Sequence, residues 1–230
     1  MFNPRPQVCY VAIAGQAPCV VVDDFLLDPH AVVAHAVAAQ DRFAVDPANY
    51  YPGPELDLGR ETALRLDEFF IQHVRRALGA QRTISVAARL ALATLPPERL
   101  HPLQRLCHRD CADLAPGVGA AAAVVYLFDD PRLGGTSFYR ATGSLEETAR
   151  VMRAAHAGTA AHTGASGYLT ASNAHFEQLC TIPACFNRAI FYDGTIFHAA
   201  QIEVPALLHG DPARGRLTMN GFFRFRQRSA

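Results

Sequence analysis

The chain has 230 residues and a mass of 25.0 kDa, and its 21 basic and 21 acidic side chains leave no formal net charge. All 21 basic residues are arginine, which excludes Schiff-base, phosphate-loop and lysine-tethered cofactor chemistry. Half of the residues are hydrophobic and 18% are charged. That suits one domain with a real core, and the balanced charge argues against general nucleic-acid or anionic-membrane binding.

Residues 1–7 hold two prolines and no apolar stretch, so no secretory leader is expected there. No apolar run approaches the roughly 18 residues of a membrane span. The expectation is a cytoplasmic protein, monomer or homodimer, with Cys9, Cys19, Cys107, Cys111, Cys180 and Cys185 reduced. Residues 8–13 and 19–22 read as β-branched strands. Asp28 and Pro29 open a helix to about residue 40. Three prolines between 41 and 59 mark a loop, and 60–78 has helical spacing closed by Gly79.

Beyond Gly79 the pattern changes to short strands, at 85–95, 120–128, 136–140, 188–192, 195–199 and 216–225. Helices are expected at 144–157 and 172–179, with a loop of small residues at 158–167. Asp193-Gly194 reads as a hairpin turn between two strands. Arg224, Arg226 and Arg228 alternate as on one solvated or partner-facing strand face. The order predicts a mainly β protein with flanking helices: an antiparallel sandwich or open barrel braced by N-terminal helices. We expect a single domain over 1–230, with helical support at about 1–80, a β core at about 81–230 and an insertion at about 141–186.

His108-Arg109-Asp110 carries the first chemical signal. Residues i and i+2 of an extended segment share a face, so His108 and Asp110 present an imidazole and a carboxylate together. A third ligand from a distant strand would complete a two-histidine, one-carboxylate set suited to iron(II). His198, late in the chain and on an expected strand, fits that place; His101, His156, His162 and the others do not. Arg216 opens the last strand with Thr218 two residues on, a guanidinium and a hydroxyl that together can hold a carboxylate. Tyr126 lies within an apolar strand and needs a partner for its hydroxyl.

The order of His108-x-Asp110, Tyr126-Leu127-Phe128-Asp129, Gly134-Gly135-Thr136, His198 and Arg216-x-Thr218 resembles the iron(II)/2-oxoglutarate-dependent oxygenases. It is most similar to the prolyl-hydroxylase-like branch, where a Tyr-Leu-Asn strand precedes a Gly-Gly turn. Val21-Val22-Asp23-Asp24-Phe25-Leu26 also looks like the strand-to-helix entry of that branch. Phe128 departs from the usual Asn, and 141–186 is long. The resemblance implies a double-stranded β-helix, a cupin-like jelly roll, over roughly residues 100–226. It implies His108, Asp110 and His198 as catalytic iron ligands, and Arg216, assisted by Thr218 and Tyr126, as the anchor of 2-oxoglutarate, with O2 as the other cosubstrate. Related halogenases give the carboxylate position to chloride, so Asp110 favours hydroxylation. Some relatives anchor the cosubstrate with lysine; this chain must use arginine, and Arg216 heads the list before Arg214.

The implied activity is hydroxylation of an unactivated C–H in a small molecule, an amino acid or a peptidyl side chain, with release of succinate and CO2. Arg188, Tyr139, Arg140 and Tyr51 are the candidate substrate contacts. Two alternatives stay open: a metal-dependent β-barrel dioxygenase that does not use 2-oxoglutarate, and a non-catalytic binding module of the same fold.

Overall fold

A computed structural model describes residues 1–47, 49–111, 113–158 and 167–228. His162 and most of the expected small-residue loop at 158–167 lie outside the described residues. The first two strands, β1 (Gln7–Val11) and β2 (Cys19–Asp23), pair antiparallel from Gln7↔Asp23 to Val11↔Cys19. Helix α1 (Pro29–Ala38) starts as its sequence requires: the Asp28 carboxylate accepts from the Ala31 amide at 2.9 Å and proline occupies the first turn. After the short strand β3 (Glu55–Asp57), α2 (Gly59–Phe69) runs on through one π-helical stretch, Phe70–Val74. That wider turn keeps both adjacent rings buried: Phe69 packs on Phe25 and Phe70 stacks on Phe223, with centroids 4.8 and 4.4 Å apart.

The remaining strands are β4 (Ala80–Ala93), β5 (Val118–Tyr126), β6 (Thr136–Ala141), β7 (Phe176–Ile182), β8 (Ala189–Asp193), β9 (Phe197–Ala200) and β10 (Arg216–Gln227), with α3 (Leu145–His156) between β6 and β7. Seven strands form one sheet in the order β1-β2-β8-β5-β10-β4-β3, and three form another in the order β7-β6-β9. All of these pairings are antiparallel. The two sheets enclose Cys19, Tyr126, Phe128, Phe138, Ile182, Ile190 and Tyr192. The helices cover the outer face of the large sheet, where Phe25, Leu66, Phe69, Phe70, Phe191 and Phe223 pack. α3 covers the outer face of the small sheet through Val151 and Ala155, above Tyr139, Phe176 and Ala199. This is the expected mainly antiparallel jelly roll.

Four expectations change. The first 80 residues are not only a helical brace, because β1 and β2 extend one edge of the large sheet and β3 forms the other. The expected loop at 41–59 contains β3, whose Leu56 is buried and whose Glu55 pairs with Ala91. The second half of the expected helix at 172–179, from Phe176 on, lies in strand β7. Phe176 and Ile182 at its two ends are both buried, and it pairs along β6 from Thr136↔Ile182 to Ala141↔Phe176, so sheet pairing overrides the local helical spacing. Asp193-Gly194 is not a hairpin turn either. It carries the chain from β8 in the large sheet to β9 in the small one.

α3 has the capping box its Ser-x-x-Glu sequence encodes: Ser144 Oγ accepts from the Glu147 amide at 3.2 Å while Glu147 Oε2 accepts from the Ser144 amide at 2.8 Å. Ser144→Ala should cost about 1 kcal/mol and lower the thermal midpoint by roughly 2–4 °C. Differential scanning fluorimetry reads this directly, and an unchanged midpoint would mean that α3 frays before the sheets unfold.

Candidate metal centre

The site forms where the edge of the small sheet meets an extended segment from the middle of the chain. His108 and His198 face each other across an antiparallel bridge, each amide donating to the other's carbonyl at 2.9 Å. Two residues on, the Asp110 amide donates to Gly194 O at 2.9 Å, and the Gly194 amide donates to Ala120 O at 3.1 Å. This ties the His-x-Asp segment to the corner between the sheets. Gly194 suits that corner: a Cβ there would sit 3.2 Å from Asp110 Oδ2 and 3.5 Å from Ala120 Cβ.

One ligand atom from each of His108, Asp110 and His198 lies within 4.8 Å of the others. Asp110 Oδ1 is 3.6 Å from His198 Nε2 and 3.8 Å from His108 Nε2. His198 Nδ1 lies 2.9 Å from Ile196 O; a proton there bonds the carbonyl and leaves the Nε2 lone pair free for a metal. Burial disfavours the Asp110 charge, but the charge and contact of His198, with His108 behind it, hold the carboxyl below its ordinary range. Burial likewise works against the His198 cation, and the Asp110 charge overcomes it and raises the ring.

Asp110 Oδ2 is buried without a hydrogen-bond partner. A buried carboxylate oxygen left unpaired is costly unless something else binds it. Two imidazole nitrogens and a carboxylate in this arrangement fit a divalent transition metal, with iron(II) suited to the ligand set. The residues present therefore fit the metal that the sequence implies.

Arg216 opens β10 on the face directed between the sheets and is 3% exposed. Its Nε donates to Leu133 O at 2.9 Å, and its Nη2 to Gly135 O at 3.0 Å. The Gly134-Gly135 turn thus presents its carbonyls to the guanidinium. Gly134 has φ +81°, and a Cβ there would overlap Gln201 O, so glycine is needed for this close approach. No carboxylate lies within ion-pair range of Arg216 among the described residues. A buried guanidinium without an acid calls for an anionic ligand.

Tyr51 lies beside this cation. Burial raises its phenol, while Arg216 and Thr218 lower it; its buried hydroxyl has no hydrogen-bond partner of normal geometry. The loop is fixed by Gln104, whose Nε2 donates to Tyr51 O at 3.1 Å, and by Gly53, which packs onto Leu92 O. Tyr51, expected as a substrate contact, thus lies at the Arg216 end of the interior. Thr218 Oγ1 also makes a long contact, 3.5 Å to Ala91 O. Tyr126 donates its hydroxyl to Thr136 Oγ1 at 2.9 Å, so its own partner is a hydroxyl and not Arg216; the Arg216 charge still acts on it.

The other expected substrate contacts have structural partners. Arg188 grips Asp23 through Nε at 2.6 Å and Nη2 at 3.0 Å, and holds Pro183 O with Nη1. Arg140 pairs with Glu177 at 2.6 Å on the surface. Tyr139 is buried under α3 and donates to Leu169 O at 3.2 Å; Thr136 and Phe138 face the space between the sheets, and Tyr139, the next residue in the alternation, faces away.

Sequence reasoning misses Tyr192. Its ring lies 4.7 Å from that of His198 in an edge-to-face contact. Burial, then the Asp110 carboxylate and Tyr126, push its phenol far up. It therefore stands between the triad and the Tyr126 end. Its alternation with Ile190 along β8 is the signal that could have found it.

A family model described as "Family of unknown function (DUF6445)" matches residues 4–223. No curated protein matches the chain. Among solved structures it is similar to the non-heme alpha ketoglutarate dependent epimerase SnoN from nogalamycin biosynthesis, at 14% identity over 92% of this chain and 79% of that one, with a TM-score of 0.48. It is similar to a Pseudomonas putida prolyl-4-hydroxylase at 16% identity over 94% and 95%, with a TM-score of 0.45. It is also similar to HygX from Streptomyces hygroscopicus, solved with nickel, 2-oxoglutarate and hygromycin B, at 10% identity over 92% and 83%, with a TM-score of 0.46.

Proposed function

Since the chain belongs to this family of unknown function (DUF6445), its reaction must be read from its own site, and we propose that it is a non-heme iron(II)- and 2-oxoglutarate-dependent oxygenase. Its substrate is a small molecule, an amino acid or a peptidyl side chain, hydroxylated at an unactivated C–H. The observation that carries this reading is the combination of the His108–Asp110–His198 donor set with a buried Arg216 that no acid neutralises among the described residues. Tyr192 and Tyr126 link the two ends: Tyr192 feels Asp110 and Tyr126, and Tyr126 feels Arg216.

In this reading His108, Asp110 and His198 hold iron. Bound together, iron(II) and 2-oxoglutarate supply oxidative decarboxylation, giving succinate and CO2 and placing one oxygen atom of O2 into a C–H bond. The rest is done by the chain. Arg216 would orient the distal carboxylate of 2-oxoglutarate, with Thr218 and Tyr51 beside it as hydroxyl donors. The apolar walls of Phe138, Ile190 and Ile182 exclude water from the interior. The Ile196 carbonyl fixes the His198 tautomer so that Nε2 faces the metal.

The test is succinate release under air with Fe(II), 2-oxoglutarate and a panel of amino acids and peptides. Release that rises with one member supports the reading; no release with any member and no uncoupled turnover removes it. Tyr51→Phe gives a finer check. It deletes a buried hydroxyl that lacks a partner in the ligand-free protein, so stability should stay level or rise slightly, while the 2-oxoglutarate Kd rises about 3- to 10-fold from the loss of one hydrogen bond. Calorimetry and a melting curve read both, and an unchanged Kd would return Tyr51 to a structural role.

A further inference from the structure

The inter-sheet face of the large sheet carries a second uncompensated arginine. Along β10, Leu217, Met219, Phe223 and Phe225 pack against the helices, so Arg216, Thr218, Asn220, Phe222 and Arg224 alternate onto the other face. Arg89 on β4 shares that face, but Glu55 neutralises it at 3.0 Å. Arg224 is exposed and has no acidic partner within ion-pair distance among the described residues. Its guanidinium contacts Cys111 Sγ at 4.0 Å, on the residue after Asp110.

The register fixes where this cation stands. Arg224 pairs with Ala120, Ala120 O accepts from Gly194, and Gly194 O accepts from Asp110. Arg224 is therefore at the open end of the face, next to the metal ligands, while Arg216 is at the closed end. Around it the floor is low. Ser85 and Ala87, both exposed, lie opposite Arg224 and Phe222 on β4, while their counterparts on β5, Ala120 and Ala122, are buried. Ser85 and Ala87 leave a low exposed surface beside the Phe222 ring, over which the Arg89 guanidinium sits at 5.0 Å from the centroid.

We propose that Arg224 selects the substrate by binding an oxyanion on it, a carboxylate or a phosphate, with the substrate's carbon chain over Phe222 and Ala87 and its reacting C–H toward the triad. An unpaired guanidinium at an open mouth grips such a group with parallel bonds and draws anions in from solution. The placing of the C–H at the triad rests on the oxygenase reading; anion recognition at Arg224 does not.

The probes are free amino acids, dicarboxylic acids and O-phosphorylated amino acids, each beside its neutral amide or dephosphorylated form. Binding at millimolar concentration is followed by calorimetry and chemical-shift changes, on the metal-free protein and on protein loaded anaerobically with Fe(II) and 2-oxoglutarate. The anionic members should bind and their neutral counterparts should not. Arg224→Gln should weaken that binding about tenfold or more, Arg224→Lys should recover part of it, and Arg226→Gln, two residues outward on the same strand, should change it little. The 2-oxoglutarate Kd should not move. Preference within the panel separates a carboxylate substrate from a phosphorylated one. Equal binding of neutral members, no binding of any anion, or equal effects of Arg224→Gln and Arg226→Gln would overturn the proposal. Failure to bind iron or 2-oxoglutarate, with anion binding at Arg224 intact, would instead count against the oxygenase reading alone.

Discussion

Asp110→Ala should leave a folded protein that no longer retains iron and forms no succinate. The backbone of this segment keeps its bonds, since the amide of residue 110 still reaches Gly194 O and the His108–His198 bridge is untouched. What is lost is the one anionic donor of the set. Changes to groups that merely orient a ligand cost about 10- to 100-fold in metal affinity, so removal of the ligand itself should cost at least about 100-fold. The variant also removes Oδ2, buried without a partner, which spares the metal-free protein an unpaired oxygen. The melting temperature should therefore fall little while iron affinity collapses. Metal analysis after dialysis, beside a melting curve, checks both, and tight iron in the variant would exclude Asp110 as a ligand.

The second large effect is expected at Arg216. Arg216→Gln should bind iron as the parent does and bind 2-oxoglutarate weakly. Losing a charge-assisted pair inside the protein costs about 2–3 kcal/mol, roughly 30- to 150-fold in Kd. Glutamine keeps a donor for the Leu133 and Gly135 carbonyls that Arg216 now satisfies, which limits damage to the fold. Excess 2-oxoglutarate should restore much of the turnover, because the residue positions the cosubstrate and does not touch the reacting carbon. An unaltered Kd would mean that the anion belonging to Arg216 is something else.

The parts of this site written locally in the sequence are the readable ones. His108 and Asp110 share a face because period two is a property of any extended segment, and Arg216 and Thr218 follow the same rule. The absence of lysine by itself limits the choice of anchor to arginines. What depends on distant pairing is not readable. Phe176 and Leu179 have helical spacing, and only the partner strand β6 makes their segment a strand. Asp193-Gly194 has the composition of a hairpin turn, yet whether β8 and β9 pair is decided by which sheet each joins. Tyr51 comes from a proline-rich loop, and nothing near it in sequence says that its hydroxyl ends beside Arg216. Nearness to the Gly-Gly turn suggests the mouth for Tyr139; counting alternate residues from Thr136 turns it to the outer face, under α3. Arg188 can be read from its sequence as a substrate contact or a structural pair, and Asp23 accounts for it structurally.

The central claim is that one interior binds iron through His108, Asp110 and His198 and 2-oxoglutarate through Arg216. Anaerobic titration of the protein with Fe(II) and then 2-oxoglutarate tests it most directly. The account predicts a weak visible metal-to-ligand charge-transfer band that saturates at one equivalent of each, is absent in Asp110→Ala, and in Arg216→Gln appears only at much higher 2-oxoglutarate. No band with the parent protein, or the same band at the same concentrations in both variants, would contradict it.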